Sequence, residues 1–109
     1  MVGFLLFSIL AFHGCSPQAT TSSDILRRLD LAEEVVADDP DSAQIILDGI
    51  GYDSICTSEH RARYALISSE ALYYARVYID SDSLSSRAIA YYNDSDDYER
   101  RARAYYQHG

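Results

Sequence analysis

Cysteine and histidine, the side chains most often used as nucleophile, base or metal ligand, are few and scattered in this 109-residue sequence. The two cysteines, Cys15 and Cys56, and the three histidines, His13, His60 and His108, lie far apart along the chain. No HExxH, paired CxxC, glycine-rich phosphate loop or GxSxG ties them into a catalytic or metal-binding spacing. His60, next to Glu59 at a helix start, reads as a solvated surface residue. A single Cys56 reads as a buried thiol serving as a small hydrophobe. Asp80-Ser81-Asp82 and Asp94-Ser95-Asp96-Asp97 offer the oxygen ligands that calcium takes. An EF-hand loop also needs glycine sixth and glutamate twelfth, and the sixth residues here are Ser85 and Glu99. Helix capping is the better role for those aspartates. No catalytic residue, metal or small-molecule substrate is therefore expected, and the chain reads as non-enzymatic.

Charge narrows the partners further. The net charge is −8, and all nine basic residues are arginine. Such an excess repels nucleic-acid phosphates and anionic lipid, so no nucleic-acid partner is expected for this chain. Tyr98-Glu99-Arg100-Arg101-Ala102-Arg103-Ala104-Tyr105-Tyr106 interleaves arginine with tyrosine. Its acids stand four residues ahead of its arginines, however: Asp96 before Arg100, Asp97 before Arg101, Glu99 before Arg103. That is the favourable order for pairs on an exposed helix.

The one long apolar run, Phe4-Leu5-Leu6-Phe7-Ser8-Ile9-Leu10-Ala11-Phe12, is too short to cross ~30 Å of hydrocarbon. Its length suits the apolar core of a secretory signal. Gly14-Cys15 ends it, and Ser16-Pro17-Gln18-Ala19-Thr20-Thr21-Ser22-Ser23 continues as a small, polar tether. Together these features resemble a bacterial lipoprotein signal, although Phe12, His13 and the lack of an early basic residue depart from that pattern. The resemblance implies cleavage before Cys15 and a diacylglyceryl group on its sulfur. It also implies attachment to the inner or outer membrane of a cell envelope, facing the periplasm or the surface. Residues 1–14 are then signal, 15–23 tether and 24–109 the folded part.

From Ser23 onward the apolar spacing is helical throughout, which predicts an all-α fold. Ile25, Leu29, Ala32 and Val36 share one stripe. Asp38-Asp39-Pro40 ends that helix and opens the next, with Asp39 as cap and proline in the first turn. Ala43, Ile46, Leu47 and Ile50 give the second helix one apolar face. A third helix runs from Thr57 or Ser58 to about Val77. Its two stripes are Ala62, Ala65, Leu66, Ser69, Leu72, Tyr73 and Tyr64, Ile67, Ala71, Ala75, Tyr78. A helix apolar on two sides is packed on two sides. A fourth holds Leu84, Ala88, Tyr91 and Tyr92, and a fifth holds Tyr98, Ala102 and Tyr105. In each tyrosine doublet (73–74, 91–92, 105–106) one ring is expected in the core and its neighbour ~100° away toward the edge.

Arg61-Ala62-Arg63 recurs as Arg101-Ala102-Arg103, consistent with two-helix units of ~34–40 residues. The order Leu31-Ala32-Glu33-Glu34, Asp39-Pro40-Asp41-Ser42-Ala43 and Ile45-Ile46-Leu47-Asp48-Gly49-Ile50 is similar to the opening of tetratricopeptide-repeat lipoproteins common in Bacteroidetes. Arg61 to Leu66, Tyr78 to Leu84, Ala90-Tyr91-Tyr92 and Ala104-Tyr105-Tyr106 continue the likeness. It implies antiparallel helix pairs stacked as a solenoid, with Tyr64, Ser68 and Tyr74 lining a groove for a protein or peptide partner. The implied role is a membrane-anchored, non-catalytic interaction scaffold. The alternative is the extracytoplasmic sensory part of a membrane-spanning transcriptional regulator. Gln107-His108-Gly109 falls inside what reads as the first helix of a further unit, so a longer protein is expected. The last helix should then expose an apolar face.

Overall fold

The computed structural model describes residues 22–77 and 83–108. Within them lie five α-helices, α1 (Ser22–Val35), α2 (Pro40–Ile50), α3 (Ser58–Tyr74), α4 (Ser83–Tyr92) and α5 (Tyr98–His108). One 3-10 turn, Tyr52–Ser54, links α2 to α3. The all-α class holds, with no strand among the described residues. The signal segment, Cys15 and the tether through Thr21 lie outside the described residues, as does the break at 78–82.

The helix boundaries follow from capping chemistry. Asp39 Oδ1 accepts from the Ser42 amide at 3.2 Å and Oδ2 from the Ser42 hydroxyl at 2.7 Å, with Pro40 in the first turn of α2. Those bonds lower the Asp39 carboxyl below its ordinary value. Thr57 Oγ1 accepts from the His60 amide at 3.1 Å at the head of α3. Asp97 does the same for Arg100 at the head of α5, also at 3.1 Å. Both satisfy amides that have no partner inside a helix. α3 stops at Tyr74, before the Val77 that periodicity suggested. Arg76 turns left-handed there (φ 63°), and the amides of Arg76 and Val77 donate back to the Tyr73 and Leu72 carbonyls at 3.0 and 2.9 Å. This is a Schellman closure with arginine at the position glycine usually holds.

Each helix packs on the next, and α3 also contacts both α1 and α5. Two cores result. Ile25, Leu29, Ala32 and Val36 meet Ala43, Leu47, Ile50, Ile55, Ile67 and Ala71 in the first. Ala62, Ala65, Leu66, Ala88, Tyr92 and Ala104 form the second. α3 serves both cores, one from each of its stripes, as its double periodicity requires. The second core is mostly alanine, which lets helices approach closely but removes little apolar area from water. Tyr92, 1% exposed, is its one large ring. α5 contributes only Ala104, and the stripe expected to pack, Tyr98, Ala102 and Tyr105, is exposed, as is Tyr106.

Candidate functional site: a buried ion network and its cleft

The alanine-rich second core is bordered by charge. α1 presents Asp30 and Glu33, α3 presents Arg63 and Glu70, and α5 presents Arg100 and Arg103. Spacings of three and seven place each pair on one helix face. Glu33 stands at the centre. Its Oε1 accepts from Arg63 at 2.6 Å and from Arg100 at 2.7 Å. Its Oε2 accepts from Arg100 Nε and lies beside Arg103 Nη1, both at 2.9 Å. Arg63 also donates to Asp30 at 2.7 Å, and Arg103 grips Glu70 with two bonds of 2.6 and 2.8 Å. Asp97 receives Arg100 from its own helix at 2.6 Å.

Arg63 and Glu70 are essentially buried and Glu33 is 15% exposed, so these pairs are shielded from the screening that weakens surface ion pairs. Burial alone raises the Glu33 carboxyl. The Arg100 hydrogen bond and the charges of Arg63, Arg100 and Arg103 outweigh it and hold the group at about 2. For Arg100 and Arg103, hydrogen bonds to Glu33 and Glu70 lead in raising the guanidinium values. Beneath the network, Tyr92 Oη and Arg63 Nε are buried with no hydrogen-bond partner. Burial leads in raising the Tyr92 phenol.

Two of these ion pairs repeat with the sequence. Asp30–Arg63 joins α1 to α3, and Glu70–Arg103 joins α3 to α5. Each partner of the second pair lies forty positions after its counterpart in the first, the interval separating the two Arg-Ala-Arg motifs. The expected helix-local pairs of Asp96, Asp97 and Glu99 are thereby corrected. Arg100 and Arg103 turn inward, and the local carboxylate that Arg100 takes is Asp97, three residues back. Of the acids on distant helices, Glu70 matches Asp30 at an interval of forty, and Glu33 carried no periodic signal.

Over the network opens a cleft of about 480 Å³ lined by α1, α3, α5 and the turn after α1. Its wall includes Asp30, Glu34, Glu99, Val36 and Tyr74 besides the network itself. Of the three groove residues expected, Tyr74 lines this cleft. Tyr64 is half-buried elsewhere, edge-on to Tyr52 with centroids 5.6 Å apart. Ser68 is buried with its hydroxyl unpartnered. Six residues separate Ser68 from Tyr74, which is ~120° round the helix, so one groove does not gather all three.

Among the doublets, 91–92 divides into core and edge as expected. Tyr73, Tyr74, Tyr105 and Tyr106 are instead all exposed. Tyr73 packs edge-on with Tyr74 and Tyr106, and its hydroxyl lies 2.8 Å from that of Tyr106. Cys56 is exposed rather than buried. Its backbone follows the turn instead of a core-facing stripe, and Ile55 takes the buried position.

No group of three or more His, Cys, Asp or Glu side chains is placed to hold a metal among the described residues. Likewise, no described helix is long and apolar enough to cross a membrane. No family model, curated protein or solved structure matches the chain.

Proposed function

We propose that the chain is an envelope lipoprotein, anchored through lipidated Cys15, whose tetratricopeptide-like helical units act as a non-catalytic protein-binding scaffold. The observation that carries the scaffold half is the repeated ion pair, Asp30–Arg63 and then Glu70–Arg103, which links alternate helices by the same chemistry at the same interval. A stack of such units leaves a cleft across its alternate helices, and the cleft over Glu33 is of a size to take one or two side chains of an extended segment. Tyr74 offers it a ring, while Glu34 and Glu99 offer charge.

The anchor half rests on the leading sequence, and its test is separate. Cys15→Ala is expected to move the full chain from the membrane fraction to the soluble fraction and to abolish labelling by palmitate. Unchanged fractionation sinks the anchor. Cys56 supplies a useful control, since the chain has two cysteines and a disulfide between them would consume the sulfur that lipidation needs. Palmitate labelling that persists in Cys56→Ser, with no mobility change on reduction of the native chain, supports the thioether. For the scaffold, a photoreactive residue at Tyr74 should crosslink a discrete partner in intact cells, and the same residue at Ile45 on α2 should not.

A further inference from the structure

A second cleft, of about 390 Å³, lies between the start of α3, α4 and the 3-10 turn. Its lining is Tyr52, Ser58, Arg61, Ala62, Arg87, Ala90 and Tyr91, with no carboxylate among them. Arg61 and Arg87 both stack on Tyr52, their guanidinium carbons 5.5 and 5.1 Å from its ring centroid. Two cations on one ring stand within about a Debye length of each other, ~10 Å at ~0.1 M salt. Like charges so placed repel unless an anion lies between or beside them. Arg27, Arg28, Arg63, Arg100 and Arg103 have carboxylate partners, whereas Arg61, Arg76, Arg87 and Arg101 have none among the described residues, and of these Arg61 and Arg87 share one cleft. In a chain with so large an acidic excess, two unpaired guanidiniums converging on one cleft require a reason.

The backbone holds this arrangement in place. Gly51, at φ 78°, turns the chain from α2 into the 3-10 turn, and Ile55 locks that turn into the first core. Tyr64 meets Tyr52 edge-on, fixing the ring that the arginines share. Arg61 Nε donates to the Ile55 carbonyl at 2.7 Å, which uses one of five guanidinium donors and positions the rest. Ser58 adds a hydroxyl at the positive end of a 17-residue helix. Tyr91, Ala62 and Ala90 make the remaining wall largely apolar.

We propose that this cleft binds an oxyanion carried on an aromatic body, an aryl phosphate or an aryl carboxylate. Arg61, Arg87 and Ser58 take the anion, and Tyr52 and Tyr91 take the ring. Forked guanidinium donors match both oxyanions, and stacking on tyrosine orients a flat ligand. The site is independent of the anchor and of the cleft over Glu33.

The test is an amide-resolved NMR titration of the full chain with phenyl phosphate, benzoate and inorganic phosphate. Saturable shifts at Ser58–Ala62 and Arg87–Tyr91 are expected for the two aryl anions, with inorganic phosphate weaker. Preference between phenyl phosphate and benzoate names the anion. Arg87→Gln, an exposed change, should weaken binding roughly tenfold or more with no change in melting. Arg61→Gln should act similarly. Arg101→Gln, whose guanidinium also covers a tyrosine but lies outside this cleft, should bind as the native chain does. Absence of saturation with all three anions at millimolar concentration, or undiminished binding by Arg87→Gln, overturns the site. Equal affinity for inorganic and phenyl phosphate overturns the aromatic half of the proposal.

Discussion

Glu33→Gln is the substitution that reaches most of the molecule through one atom. The carboxylate is shared by Arg63, Arg100 and Arg103, and the amide that replaces it keeps the shape but removes the charge. Arg63, 5% exposed, is left with Asp30 alone. Breaking a buried pair costs ~3–5 kcal/mol, because the remaining charge is desolvated without compensation. Linkage gives a figure of the same size. The carboxyl falls from an ordinary 4.5 to about 2 on folding, and ~1.4 kcal/mol per unit makes that about 3 kcal/mol. Because the folded value is the lower one, this stability is complete above pH 4.5 and is lost as pH falls from 4.5 toward 2. Thermal unfolding followed by circular dichroism should show a melting temperature lower by roughly 12–24 °C at pH 7. The gap between native chain and variant should narrow steadily below pH 4.5. A variant less than 0.5 kcal/mol weaker at pH 7, or a gap independent of pH, refutes the central role given to Glu33.

Three further substitutions test separate links, each read by the same melts or by urea titration. Tyr92→Phe removes a buried hydroxyl without a partner and should leave stability unchanged or raise it by about 0.5–1 kcal/mol; a clear loss would mean that the hydroxyl is bonded in solution. Arg76→Gly should stabilise by about 0.5–1 kcal/mol, since glycine enters the left-handed region without the Cβ penalty. Leu29→Ala, at a fully buried position in the first core, should cost about 3 kcal/mol; a cost below 1 kcal/mol would show that core to be loosely packed.

Much of the fold was legible because local chemistry sets it. Asp39-Pro40, Thr57 and the apolar stripes on the first three helices are short-range signals, and they fall where the residues placed them up to the end of α3, where Tyr73 and Ala75 are exposed. The two-sided stripe on α3 even announced a helix shared by two cores. The ion network was not legible, because its partners are separated by about thirty to seventy positions and acid–arginine spacing within α5 offered a simpler local answer. The orientation of α5, with Ala104 inward, decided the matter, and it also set the 105–106 rings outside. Tyr52 drew no attention in the sequence, since one tyrosine in a turn has no period; only folding brings Arg61 and Arg87 over it.

Glu33 has a mechanical consequence beyond its energy. A stack held only by neighbour-to-neighbour contacts behaves as a spring, able to flex or fray one unit at a time. Here one carboxylate on α1 grips α5 directly, in the manner of a tie-rod between helices far apart in sequence. The cleft it underlies can neither widen nor close without stretching that tie. On the proposed reading, a segment entering there meets a slot whose shape is settled before the encounter.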